Sequence, residues 1–283
     1  MPNFFFSSLI RKLSLGFSII FLIFSIFFQL KFVNHDWINP SILQHYELTP
    51  AKEMFNKDLE FLNSMNELEE YFLGTINKNK LNDIESVIFA DQLLRERFFH
   101  HNKNITLHDN WFLYVVNFFS SNRNNNLYLS SLSPDYILKS NGAICNQQAI
   151  IFQSLMKTIG IEYQSVLFNI PRHPVAFGHF ASAVNVNNKW LYIDTNMEPD
   201  YEIRDPAVFE GLLNGDKDVF NKLYPTHTVK NIPEGSVRTS SKNKNPAFWG
   251  GLLQDICYFI SHYAWIVLLL IYFVSRKVEE RGA

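Results

Sequence analysis

The stretch CNQQAIIFQSLMKTI at Cys145–Ile159, followed after a break by HFASAVNVNNKWLYID at His179–Asp194, is where the chain changes its period. The first piece is apolar at helical spacing and runs into Gly160, the residue type that most readily takes the left-handed turn ending a helix. The run 161–168 alternates in part, as a strand does, and Pro171 and Pro174 break it. Two more strand-like runs, 179–186 and 190–194, are joined through Asn187, Asn188 and Lys189, where asparagine tolerates the positive φ of a tight hairpin turn. With Asn187 and Asn188 as the loop, Val186 faces Lys189 and, counting back, Ala181 faces Asp194. Side chains alternate faces with a period of two, so His179 shares a face with Ala181 and Asp194 joins it diagonally from the next strand. The expected class is α+β, an antiparallel sheet packed on helices.

That placement brings together the parts of a cysteine-dependent acyl-transfer site. Such chemistry needs a thiolate, a base that takes and returns a proton, and a group that fixes the base's tautomer. Cys145 opens the predicted helix, where aligned amides favour the thiolate and offer part of an oxyanion hole. His179 is the candidate base and acid. Asp194 is the candidate acceptor for the second imidazole nitrogen, favouring an imidazolium–thiolate pair. Each residue alone has an ordinary structural reading: a small buried hydrophobe, a satisfied histidine, a strand-end turn residue. Their joint order on a helix start and two facing strand positions favours chemistry.

The segments GAICNQQAIIFQSLMKTIGI at Gly142–Ile161 and GHFASAVNVNNKWLYIDTN at Gly178–Asn196 resemble the core of the transglutaminase-like superfamily. The resemblance rests on Cys145 with Ala149 four positions on, Lys157, the Gly160-Ile161 pair, His179 in a strand, and Trp190 four residues before Asp194-Thr195. Gly142 stands three residues before the cysteine, where family members commonly have glycine two before, and Ala181 replaces the frequent aromatic two beyond the histidine. The resemblance implies a papain-like α+β core, with Cys145 as nucleophile, His179 as general base and acid, and Asp194 as orienting acid. It also implies a protein, peptide or other amide substrate, attacked through a thioester that is released to water or to an amine, with no cofactor. A silent copy of the fold acting as a binding module, and a metal site of Cys145, His173, His179 and Asp194, are the competing readings. No CxxC or HxxxH pair supports the second.

Two apolar runs frame this core. LSLGFSIIFLIFSIFFQL at Leu13–Leu30 carries no charge, and ICYFISHYAWIVLLLIYFV at Ile256–Val274 is flanked by Trp249 with Tyr258 and Tyr272 inside it. Each is long enough to cross most of a hydrocarbon layer of about 30 Å. Lys31, Phe32, Val33 and Asn34 follow the first run, which argues against a cleaved signal peptide. Arg11 and Lys12 before it, and Arg276, Lys277 and Arg281 after the second, place both termini in the cytoplasm and the middle outside, against which Lys31, Lys242 and Lys244 count. His262 and Cys257 within the second run are read as a locally bonded histidine and an apolar filler.

Of 283 residues 47% are hydrophobic and 18% charged, which suits one catalytic core with appendages. A net charge of -2 offers no basic stripe for nucleic acid, and the two cysteines make no disulfide framework. The expected organisation is a tail and anchor over 1–33, a mainly helical part over 34–140, the catalytic core over 141–224, a linker over 225–255, the second span over 256–274 and a cytoplasmic tail over 275–283. Core helices are expected at 85–101, closed by His100 and His101, and at 106–119, with an Asn-rich loop at 120–126. Short helical pieces are expected at 205–213 and 216–223. The polar run SVRTSSKNKN at 236–245 is expected to be linker because it buries too little apolar surface to fold alone.

Overall fold

In the computed structural model, residues 2–29, 54–120, 129–170, 177–196, 205–224, 237–245 and 247–282 are described. In chain order their elements are α1 (Pro2–Gln29), α2 (Met65–Asn79), α3 (Asp83–Arg97), α4 (Trp111–Phe119), α5 (Pro134–Leu138), α6 (Cys145–Thr158), β1 (Glu162–Ile170), β2 (Phe177–Val186), β3 (Lys189–Ile193), α7 (Pro206–Leu213), α8 (Lys217–Leu223), β4 (Arg238–Thr239) and α9 (Phe248–Gly282). The chain divides into two compact units, one of Met1–Tyr46, Asn104–Ser130 and Trp249–Ala283, the other of Glu47–Lys103 and Ser131–Phe248.

The second unit is α+β. Its sheet has the order β3-β2-β1-β4 with antiparallel neighbours. The hairpin has the register counted from the sequence, with Val186 opposite Lys189 and Ser182 opposite Ile193. Asn187 and Asn188 take φ of 54° and 63°, the paired positive values of a turn that matches strand twist. Gly160 ends α6 at φ 74°.

Alternation sorts the sheet into two apolar layers. Tyr163, Val184, Val186, Leu191 and Ile193 join Phe72, Leu94, Phe152 and Leu155 of α2, α3 and α6 in one core. Val166, Phe168, Ala181, Ala183 and Tyr192 form the other with Phe209 and Leu212 of α7 and Phe220 and Leu223 of α8. The Asp residues before α7 and α8 cap them: Asp205 accepts from Ala207 N, and Asp216 from Asp218 N and Val219 N.

One polar cluster interrupts the first core. Gln153 of α6 donates through Nε2 to Ser165 Oγ at 3.1 Å and to Ser182 Oγ at 3.0 Å, on residues that are cross-strand partners. All three are buried. Gln153→Leu is therefore expected to destabilise the unit by about 2–3 kcal/mol, because two hydroxyls lose their partner out of reach of water. Adding Ser165→Ala and Ser182→Ala should restore most of that loss in a thermal melt; no recovery would mean that the glutamine acts by volume alone.

The structure corrects three expectations for this unit. The polar run 237–245 carries the edge strand β4, with Val166 opposite Thr239 and Leu167 opposite Arg238. Ser240 N donates to Ser165 O, Asn243 N to Tyr163 O, and Ser165 N and Tyr163 N return bonds to Ser240 Oγ and Asn243 Oδ1. An edge strand held by backbone and Ser/Asn side-chain bonds needs no apolar face of its own, so a polar composition did not exclude one. The helix expected at 85–101 ends at Arg97, whose buried guanidinium donates to Leu62 O and Leu138 O. His100 and His101 thus close no helix, since Phe99 pairs in parallel with Gly142. A Cβ on Gly142 would come within 2.6 Å of His101 Cβ, so only glycine lets these segments lie so close.

The first unit contains α1, α4 and α9. Windows at Leu9–Phe28 and Phe248–Val278 are long and apolar enough to cross a membrane. Ser18 Oγ donates to Trp265 O at 2.8 Å and Ser25 Oγ to Ser261 O at 2.6 Å, so the two long helices run antiparallel and join through hydroxyls. His262 Nδ1 faces Tyr258 O at 2.9 Å, the local bond expected of it. Two expectations differ here. The helix expected at 106–119 begins only at Trp111 and belongs to this unit, not to the α+β unit. The helix carrying the second apolar run starts at Phe248, inside the expected linker. The breaks at Pro171 and Pro174, and the loop from 121 to 126, lie outside the described residues.

Candidate active site

Cys145 is the first residue of α6 and is partly exposed. Ile144 before it holds the N-cap position and has no side-chain acceptor, so the first amides of the helix are not occupied by a cap. Gln147 instead fixes the approach to the helix: its Oε1 accepts from Ile144 N and Lys103 N, and its Nε2 donates to Lys103 O and Ser131 O. These bonds tie the start of the helix to Lys103 and Ser131.

His179 lies on β2, opposite Phe168 of β1. Strand β3 stops at Ile193, opposite Ser182, and Asp194 leaves the ladder just beyond it. The two side chains meet there. His179 Nε2 is 2.6 Å from Asp194 Oδ2, and the residues are 2% and 1% exposed. The carboxylate accepts, so Nε2 carries the hydrogen and Nδ1 is left as the nitrogen facing the other way. Nδ1 is buried without a hydrogen-bond partner, and Cys145 is close enough to act on the charge of the ring. Burial is the largest single influence on the imidazole and works against its charge. Asp194, through charge and hydrogen bond, and the neighbouring Cys145 outweigh it and lift the His179 pKa from 6.5 to about 10. The three residues singled out from sequence are therefore brought to one place.

The structure adds a set of groups that hold Asp194. Tyr224, directly after α8, donates from its hydroxyl to Asp194 Oδ2 at 2.6 Å and also bonds the hydroxyl of Tyr192. Burial, with the Asp194 and Tyr192 charges, pushes the Tyr224 hydroxyl well above its ordinary range, so it stays a neutral donor. Asn196 donates its backbone N–H to Asp194 Oδ1 at 3.1 Å and its Nδ2 to Ala143 O at 3.2 Å, tying the aspartate loop to the residues before Cys145. His100 Nδ1 lies 2.8 Å from Asn196 Oδ1. Arg95 chelates Asp91 through Nε at 3.1 Å to both oxygens and reaches Asp194 O with Nη2. Burial raises the Asp91 carboxyl against the pull of that arginine, and the Asp194 charge adds to the rise.

Tyr192 and Asn196 sit two residues either side of Asp194, so their proximity was readable from strand period; Tyr224 arrives from a distant element and gave no local signal. His173, the fourth residue of the metal reading, lies outside the described residues. Comparison of this chain with protein-family models, curated proteins and solved structures returned no match.

Proposed function

We propose that the chain is a membrane-anchored cysteine enzyme of transglutaminase-like type, acting on amide or peptide carbonyls through a thioester on Cys145. The observation that carries this reading is the orientation of one imidazole. Its Nε2 is bound to a buried carboxylate, and its Nδ1 is left for a thiol at an uncapped helix start. This arrangement can perform the whole cycle. With the proton held on His179 Nδ1, the Cys145 sulfur adds to the carbonyl carbon while the first amides of α6 face the developing oxyanion. The protonated Nδ1 then donates to the leaving amine, the C–N bond breaks, and the acyl group remains on sulfur. Water or an amine, relieved of a proton by Nδ1, attacks the thioester and releases the thiolate.

The anchoring follows from α1 and α9 as the spanning helices, with Arg11 and Lys12 at one terminus and Arg276 and Lys277 at the other. The bias of basic residues toward the cytoplasm then sets the α+β unit outside it. The reading is tested with p-nitrophenyl acetate as a generic acyl donor to the detergent-solubilised chain. The expected result is a burst of p-nitrophenolate matching the protein, with one hydroxylamine-labile acetyl group on Cys145. An acetyl group spread over lysines, with none on Cys145, would overturn it.

A further inference from the structure

We propose that α4 is a third membrane element, seated at the edge of the bilayer with one face against the acyl chains of a single leaflet. The proposal rests on reading α1 and α9 as membrane spans. Helix α4 is nine residues long, WFLYVVNFF, without a charged side chain. Trp111, Leu113, Tyr114 and Asn117 are buried, while Val115, Phe118 and Phe119 are 40%, 62% and 80% exposed. In water this would be a costly surface: three large apolar side chains on adjacent turns, with no polar residue among them.

The occupant is identified by where the N-terminal end of α4 is fastened. The first amides of a helix have no partner within it, and in hydrocarbon they must find one in protein. Phe112 N donates to Ser261 Oγ at 3.0 Å, Leu113 N to Asn110 Oδ1 at 3.2 Å, and the Trp111 indole to Ser261 O at 3.0 Å. Ser261 Oγ in turn donates to Asn110 Oδ1, and Asn110 Nδ2 to Gln254 O. Trp111 also lies against Phe21, Phe24 and Phe28 of α1. Ser261 is inside the apolar run of α9, about 8 Å past Ile256 at 1.5 Å per residue. A helix whose backbone is completed by that serine sits at the same depth as the serine. The lipid-facing surface of the spans therefore continues onto Val115, Phe118 and Phe119. His108 and Asp109 lie just before the capping Asn110 of α4, which keeps its entry at the polar boundary and makes it an edge helix, not a crossing one.

The test uses the full chain in phosphatidylcholine vesicles, in a Cys145→Ser, Cys257→Ala background. Single cysteines Val115→Cys, Phe119→Cys, Leu270→Cys and Asn79→Cys receive a nitroxide, and its relaxation by oxygen is compared with that by a water-soluble nickel chelate. All four parent side chains are exposed, so the substitutions leave the packing intact. The expected result is relaxation dominated by oxygen at 115, 119 and 270, and by nickel at 79. Nickel dominance at 115 and 119 with oxygen dominance at 270 would overturn the seating of α4 while leaving the spans, and would mean that water or a protein partner meets this face. Nickel dominance at 270 as well would overturn the spanning reading and the proposal with it.

Discussion

Replacing Cys145 with alanine is expected to remove the acyl burst entirely while leaving the fold and membrane insertion as they are. In the proposed mechanism the acyl group rests on the Cys145 sulfur, and loss of a nucleophile that acts as a unit with its base costs about a millionfold in rate. Little else depends on it. Cys145 is only partly buried, its helix start is fixed by Gln147, and alanine is the better helix former at that position. A melting temperature close to that of the parent, together with the absence of acetyl adduct, is the combination to look for. A residual burst of parental size would place the chemistry elsewhere.

Asp194→Ala should damage both stability and chemistry. Its carboxylate accepts from His179 Nε2, the Tyr224 hydroxyl and Asn196 N, all in a site shut off from water. Deleting it leaves the His179 and Asn196 donors without an acceptor and the Tyr224 hydroxyl with Tyr192 alone, at a cost of about 3–5 kcal/mol, a large part of what a domain of ordinary stability has to lose. Asp194→Asn separates the two effects, since it keeps the volume and one oxygen but not the charge. The imidazole is then no longer held protonated, and acyl transfer should fall by about 10⁴-fold. The pH dependence has a defined sign. With a folded pKa of about 10 against an ordinary 6.5, the His179 pair stabilises the fold fully below pH 6.5 and loses that contribution as pH rises toward 10. The gap in melting temperature between parent and Asp194→Asn should therefore be widest in acid and narrow toward pH 10. A gap that widens with pH would contradict the assignment of charge to this pair.

The helix and hairpin of the candidate site were legible because short-range rules fixed both: Gly160 ended the helix, and a pair of asparagines set a two-residue turn that determined every cross-strand partner. Once the register was known, the meeting of His179 and Asp194 followed from period two. Edge strand β4 was not legible, because its bonds run to β1 through the backbone and through Ser240 and Asn243, leaving no alternation in the sequence. Helix α4 misled for the opposite reason. A nearly continuous apolar run reads as a core helix of the α+β unit, and only the bonds to Ser261 show that it packs with α9 instead. Tyr224 was hidden because a hydroxyl that reaches Asp194 from 30 residues away leaves no mark on either neighbourhood.

The central claim, that Cys145 and His179 act as one unit, is tested most directly by the rate at which iodoacetamide alkylates Cys145 at pH 6 and pH 10, in a Cys257→Ala background with and without His179→Ala. An ordinary thiol with a pKa of about 8.5 is well under 1% thiolate at pH 6. The His179 imidazolium keeps its proton to about pH 10, so its charge stands beside the sulfur throughout that range. The account requires Cys145 to react about 100-fold faster at pH 6 with His179 present than without it, and the difference to shrink by pH 10. Equal rates at pH 6 would contradict it.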